Sequence, residues 1–255
     1  MPATIDERQR RGQDEQRSPR HDEETERSAV MMRMPTEVDA VVFDCDGLLA
    51  ETESAWTRAE TAIFREHGHD FGPVQKQVLI GGTLASGGLA MADYFGLPGT
   101  GPALAARLAG LVRKELAAGT PALPGAHDVA EILLRRGIPI AVASNSPRRF
   151  VDAALGSAGL ADLFEVIVSS DDVEQGKPAP DLYLTACSRL HAEPGRSVAF
   201  EDSRTGVASA RAAGMFVIAV PSAPGAILDA HVTYRSLTHS ELGSWAATCT
   251  PPACR

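Results

Sequence analysis

Lysine is nearly missing from this chain. Of 24 basic residues in 255, only Lys76, Lys114 and Lys177 are lysine, and the rest are arginine. With alanine and glycine also plentiful, this fits a GC-rich coding bias. It marks each lysine out, because a drifting basic position here would read Arg. Cysteine is scarce too: Cys45, Cys187, Cys249 and Cys254 are too few and too scattered for a disulfide scaffold. That points to a reduced, cytoplasmic, soluble protein. No apolar run approaches the roughly 20 residues of a membrane helix. Positive charge is outnumbered, 24 Lys+Arg against 33 Asp+Glu, and the net of −9 disfavours a nucleic-acid or anionic-membrane partner. What is present is 44% hydrophobic and 22% charged, the balance of a globular protein with room for one large domain or one domain with an insert.

The two ends are poor in core-forming residues. Residues 1–34 carry seven basic and eight acidic side chains and almost nothing apolar. Such a stretch cannot offset its ordering entropy, so it is expected to be a disordered leader. No apolar segment follows its charges, which argues against a secretory signal, and its acids argue against a mitochondrial presequence. Residues 238–255 end in Cys249-Thr-Pro-Pro-Ala-Cys254 and are expected to be a loose tail, since two cysteines without further partners make a poor metal site.

The body alternates strand and helix. Asp39-Ala-Val-Val-Phe43, Ile138-Pro-Ile-Ala-Val-Ala143, Glu165-Val-Ile-Val168, Ser197-Val-Ala-Phe200 and Phe216-Val-Ile-Ala-Val220 are short, mostly apolar and non-alternating. Strands buried on both faces of a parallel sheet look like this. Helical periodicity lies between them: Val129 to Leu134 stopped by Gly137, a run after Pro147, Pro180 to Leu190, and Thr205 to Ala213 stopped by Gly214. The fold class is α/β, a doubly wound, mainly parallel Rossmann-like sheet. One gap breaks the rhythm. Between the first two strands the pattern is helical over Ala55–Glu66, Val74–Ile80, Leu84–Phe95 and Ala103–Ala118, punctuated by Gly and Pro clusters. The expected organisation is a core of 35–52 and 122–237 with a helical cap, 53–121, inserted after strand 1.

In open α/β sheets the ligand sits beyond the carboxyl ends of the strands. There strand 1 delivers Asp44-Cys-Asp46-Gly47 and the second delivers Ser144-Asn145. The loop after the third delivers Asp171, Asp172 and Lys177, and the fourth delivers Glu201-Asp202. Carboxylates crowded at one edge would repel, a divalent cation resolves this, and all-oxygen ligands favour Mg²⁺. Each piece alone has a plain structural reading, as a turn or a helix cap. All of them in order, each just after a strand, do not.

Phe43-Asp-Cys-Asp-Gly-Leu-Leu-Ala-Glu-Thr-Glu53, Ala143-Ser-Asn-Ser146, Gly176-Lys-Pro-Ala-Pro-Asp181 and Phe200-Glu-Asp-Ser-Arg-Thr-Gly206 resemble the four motifs of the haloacid dehalogenase superfamily. Within it the chain is similar to the phosphatase and phosphomutase branch with a helical cap after strand 1. The resemblance implies that Asp44 is the nucleophile, forming an aspartyl phosphate, and Asp46 the general acid and base. Ser144 and the main-chain amide of Asn145 would hold the phosphoryl oxygens, and Lys177 would be the fixed cation. Mg²⁺ would be bound by Asp44, the main-chain carbonyl of Asp46 and Asp202, with Glu201 reaching it through water or through a neighbour. The implied activity is Mg²⁺-dependent hydrolysis of a small phosphorylated metabolite such as a sugar phosphate. The alternatives are a β-phosphoglucomutase-like mutase and a silent binding module. A phosphonate hydrolase would need a Schiff-base lysine in the cap, and only Lys76 and Lys114 are there. Related caps often carry an arginine near the corner at Gly81 and Gly82, but no arginine occurs between Arg65 and Arg107, which favours hydrolysis over mutase activity.

Cys45 and Trp56 read as core residues. His67, His69, His127, His191, His231 and His239 show no zinc spacing, and Glu51 and Glu53 are placed either to cap the first insert helix or to orient the flap around the site.

Overall fold

A computed structural model describes residues 34–79, 83–223 and 225–252. The leader expected over 1–34, apart from Met34, the Gly81–Gly82 corner and Cys254 lie outside the described residues. Strands β1 (Val41–Phe43), β2 (Ile140–Ala143), β3 (Val166–Val168), β4 (Val198–Glu201), β5 (Phe216–Ala219) and β6 (Val232–Thr233) form one sheet in the order β3-β2-β1-β4-β5-β6. Every pairing is parallel, with Val41 opposite Ile140 on one side and Val198 on the other. Strand β1 is therefore central, and the chain crosses to its other side between β3 and β4. A crevice at the carboxyl end of β1 follows from that reversal.

Each short strand is buried on both faces because its side chains alternate between two cores. Val41 and Phe43 point into one with Ile140, Val142, Val198 and Phe200. There Phe43 stacks on Phe200 at 5.0 Å. Val42, Ala141, Ala143, Ala199 and Val217 point into the other. Helices α5 (Ala126–Arg135) and α6 (Arg148–Ser157) cover the first face, and α7 (Asp181–Arg189) and α8 (Arg204–Ala212) the second. The two-residue β6, too short to show periodicity, is an addition to the five strands read from the sequence.

Between β1 and α5 lie α1 (Glu53–Glu66), α2 (Pro73–Leu79), α3 (Leu84–Tyr94) and α4 (Gly101–Ala118). Phe64 anchors this insert against Phe71, Tyr94 and Phe95, with ring centroids 4.9–5.3 Å apart. Helices α3 and α4 approach so closely that a Cβ on Gly88 would lie 2.3 Å from the Gly101 carbonyl oxygen, so only glycine fits there. The two chain crossings into the insert pair with each other. Ala50 bridges Ala122 in antiparallel fashion, Glu51 N–H donates to Pro121 O (3.0 Å) and Leu123 N–H donates to Leu49 O (2.9 Å).

The expected loose tail is wrong. Residues Ser240–Thr248 form helix α9, whose Leu242, Trp245 and Ala246 are buried, as is Cys249 beyond it. That spacing of three, four and seven puts all of them on one helical stripe. Trp245 packs near Phe200 and donates Nε1–H to Pro35 O at 2.8 Å, while Val38 N–H donates to Thr250 O (3.0 Å) and Thr250 N–H donates to Thr36 O (2.9 Å). Among the described residues, no helix is long and apolar enough to cross a membrane.

Candidate active site

The loop after β1 turns at Gly47, whose φ of 81° favours glycine and whose missing Cβ would sit 2.5 Å from Asp202 Oδ2. Asp44, buried at the end of β1, keeps strand order by donating its N–H to Phe200 O. Its Oδ1 accepts from Lys177 Nζ at 2.5 Å, and its Oδ2 is buried with no hydrogen-bond partner. Asp44, Glu201 and Asp202 each bring an oxygen within 4.8 Å of the others. Asp46 is near enough to add its charge to this group, but its carboxylate is held elsewhere. Oδ2 accepts from Ser144 Oγ at 3.0 Å and Ser146 Oγ at 2.9 Å.

Glu201, wholly buried, has every lone pair engaged. Oε1 accepts from Lys177 Nζ (2.6 Å) and the Tyr183 hydroxyl (2.7 Å). Oε2 accepts from the backbone of Asp202 and Ser203 and from the Ser203 hydroxyl. Gly206 is required beside it, since a Cβ there would fall 1.8 Å from Oε1. Asn145 clamps the loop that carries Lys177: its Oδ1 accepts from Lys177 N–H at 2.7 Å and its Nδ2–H donates to Lys177 O at 3.2 Å. Gly176 makes room for that clamp, because a Cβ would meet Asn145 Oδ1 at 2.6 Å.

One ammonium among several buried carboxylates sets the electrostatics. Burial pushes Asp44 well above the usual carboxylate range, and Glu201, Asp202 and Asp46 add to it against the pull of Lys177. Burial, then Glu201, raises Asp202 to about 7. Burial opposes the charge on Lys177, but Asp44 and Glu201 together outweigh it and hold its pKa up. One ammonium thus cannot keep all of these carboxyls ionised, and without a further cation they tend to hold protons. A buried oxygen without a partner in such a place suits a bound cation. Asp44 and Asp202 fit that role best, because Glu201 is already saturated.

Asp44, Asp46, Ser144, Asn145, Lys177, Glu201 and Asp202 come together as the motif spacing suggested. Asp171 and Asp172 do not join them, correcting the sequence expectation. Asp171 Oδ2 accepts from Arg148 N–H at the start of α6, and Asp172 pairs with Arg189 while closing a capping box with Ser169. Ser146 and Gly206 end two of the quoted motifs but had no role assigned from the sequence, and Tyr183 was not singled out. Ser146 was visible two residues from Ser144, whereas Tyr183 reads as an ordinary buried face of α7.

The weaker readings divide. Glu51 Oε1 caps α1 by accepting from Ser54 N–H. Trp56 is half-buried and meets Phe150 of α6 edge-on at 6.0 Å. Cys45 is fully buried. His67 and His239 end or begin helices, and His231 accepts from Val217 N–H.

A central parallel strand ending in Asp-x-Asp, a fixed lysine and a buried carboxylate pair at the next strand define a phosphoryl-handling hydrolase site. The family model described as haloacid dehalogenase-like hydrolase matches residues 38–214. The chain belongs to that family, and it is a phosphatase-type enzyme within it. It is 36% identical to protein CbbY of Rhodobacter capsulatus, over 73% of this chain and 86% of that one. It is 32% identical to validoxylamine A 7'-phosphate phosphatase of Streptomyces hygroscopicus subsp. limoneus, over 77% and 93%. The structure of CbbY from Rhodobacter sphaeroides with phosphate matches with a TM-score of 0.70 and 27% identity, covering 79% of this chain and 96% of that one.

Proposed function

We propose that the protein is a Mg²⁺-dependent phosphatase that hydrolyses a small phosphorylated metabolite of the sugar-phosphate class through an aspartyl phosphate on Asp44. The observation that carries this reading is Asp44 itself: one oxygen pinned by Lys177, the other buried and unpartnered beside Asp202. Asp44 and Asp202 would hold Mg²⁺, which when bound would supply positive charge to offset the repulsion between a carboxylate and a phosphate dianion. Lys177 supplies the second, fixed charge, and its compact ammonium suits a site shared by two carboxylates.

Asp46 donates a proton to the leaving alcohol and then takes one from the attacking water. The Ser144 hydroxyl has one hydrogen, now spent on Asp46. When phosphate enters, that hydrogen turns to a phosphoryl oxygen, and Ser146 alone keeps Asp46 aligned. The helical insert acts as a cap that selects the alcohol. Arg107, on its last helix, is ion-paired to Glu66 within the insert, which weakens the case for a second phosphate clamp and hence for a mutase. A further relative supports hydrolysis: hexitol phosphatase B of Escherichia coli O157:H7 is 31% identical over 81% of this chain and 96% of that one.

Phosphate release from a panel of sugar and polyol phosphates, with Mg²⁺ and with EDTA, tests the proposal. Turnover should vanish in EDTA and in Asp44→Asn. Near-normal release by well-folded Asp44→Asn protein would refute it. Glucose 6-phosphate appearing from β-glucose 1-phosphate faster than free phosphate, with a bisphosphate primer present, would assign a mutase instead.

A further inference from the structure

The position of Lys177 depends on more than the carboxylates it pairs with. Its side chain is almost wholly buried, and Nζ is pulled toward Asp44 Oδ1 at 2.5 Å and toward Glu201 Oε1 at 2.6 Å. Two anions competing for one ammonium do not fix where it rests; their relative charge does. The residue that sets that balance is Tyr183, on the first turn of α7. It is fully buried, its hydroxyl donates to the same Glu201 Oε1 at 2.7 Å, and its ring lies under Lys177 with Nζ 5.1 Å from the ring centroid.

We propose that Tyr183 is a positioning residue for the reaction, holding Glu201 by its hydroxyl and Lys177 by its ring so that the ammonium stays on Asp44. The hydroxyl withdraws negative charge from Glu201 Oε1 and so weakens its hold on Lys177. The ring face attracts the ammonium directly. Burial and the neighbouring Glu201 also push the phenol pKa well up, so the hydroxyl remains a donor. Phenylalanine would keep the ring and the packing but lose the hydroxyl. Glu201 would then hold Lys177 harder, and the nucleophile would lose part of its fixed counter-charge.

This inference rests on the phosphatase reading for its kinetic readout but not for its spectroscopic one. The full chain, Tyr183→Phe, Tyr183→Leu and Tyr234→Phe are compared with p-nitrophenyl phosphate and Mg²⁺. Tyr234 is the matched control, because its hydroxyl also donates to a carboxylate, that of Glu241 at 3.0 Å in the α9 region. Turnover of Tyr183→Phe should fall about tenfold, with KM changed by less than about twofold, as expected when one hydrogen bond to a charged group is lost. Tyr183→Leu should fall further. Tyr234→Phe should lose melting temperature only, which separates positioning from a general loss of a buried tyrosine bond. With only three lysines in the chain, ¹⁵N-lysine labelling gives an ammonium spectrum assignable by Lys76→Arg and Lys114→Arg. The Lys177 signal should shift in Tyr183→Phe and lose its ring-current displacement in Tyr183→Leu. Unchanged turnover in Tyr183→Phe, or an unshifted Lys177 signal, overturns the proposal. If the wild type releases no phosphate from any ester, the phosphatase reading fails and the ammonium signal alone decides the role of Tyr183.

Discussion

Two of the three lysines bridge carboxylate pairs, one in the sheet and one in the insert. Lys177 sits between Asp44 and Glu201, and Lys76, on α2, sits between Glu60 (2.7 Å) and Glu53 (3.0 Å) on α1. The difference lies in what is left over. Around Lys76, Glu53 is 66% exposed, so water takes up the charge that the lysine does not, and Thr57 Oγ1 accepts a further bond at 3.3 Å. Burial raises the pKa of Glu60, but its bond to Lys76 pulls back. Nothing there is unsatisfied, and the pair pins α2 to α1. A lysine engaged by two carboxylates is also a poor candidate for a Schiff base. Around Lys177 the carboxylates are almost wholly buried, and one oxygen of Asp44 has no hydrogen-bond partner. The same residue types make a structural pin where solvent helps and the proposed reactive centre where it does not.

Substituting each lysine breaks the comparison most sharply. Lys177→Met should lower turnover by about a thousandfold, the scale of losing a preorganised charge at the reacting group, as phosphate release at saturating substrate will show. Gly206→Ala attacks the same centre from behind. Its methyl cannot coexist with the Glu201 carboxylate, so it should cost about 1–3 kcal/mol in a denaturant titration as well as activity.

A smaller effect follows from charge alone. Asp202 has a folded pKa of about 7, above the roughly 3.9 of an unfolded aspartate, and Asp44 is shifted the same way. A carboxyl with a raised folded pKa favours the folded state below the unfolded value and loses that contribution as pH rises through the folded one. The metal-free protein should therefore melt lower at pH 8 than at pH 5. Mg²⁺ should raise the melting temperature more at pH 8, where it no longer competes with protons. A melting series with and without EDTA reads both. If Mg²⁺ stabilises equally at both values, the acidic group does not bind it. The smallest effect is Lys76→Met, which should cost about 1–2 kcal/mol by leaving Glu60 buried without its partner, with turnover within about twofold of wild type. A turnover loss near that of Lys177→Met would move Lys76 into the catalytic group.

Much of the site was legible because its residues follow buried strands directly, and a parallel sheet brings the ends of neighbouring strands together whatever the helices do. Asp44, Ser144 and Glu201–Asp202 needed only the strand assignments. Asp171 and Asp172 satisfied the same rule and still misled. A side chain after a strand can turn to its own backbone, and the α6 terminus and Arg189 offered these two closer partners. Tyr183 lay beyond reach for the opposite reason. Its hydroxyl finds Glu201 only through the packing of α7 on the sheet, which no local pattern encodes. The α9 stripe of Leu242, Trp245, Ala246 and Cys249 was legible in principle, but Gly243 and the Cys-Thr-Pro-Pro ending masked it.

The paired crossings at Ala50 and Ala122 also have a mechanical side. The chain enters and leaves the insert through one double-stranded neck, so neither crossing can turn without the other. Ala50 is also bridged to Asp46, and Gly47 N–H donates to Ala50 O at 3.0 Å. The neck therefore ends on the very turn that carries Asp46, the carboxylate proposed to move the proton. Any torque on the insert would be delivered to the turn of Asp46, whose carboxylate is tied to Ser144 and Ser146.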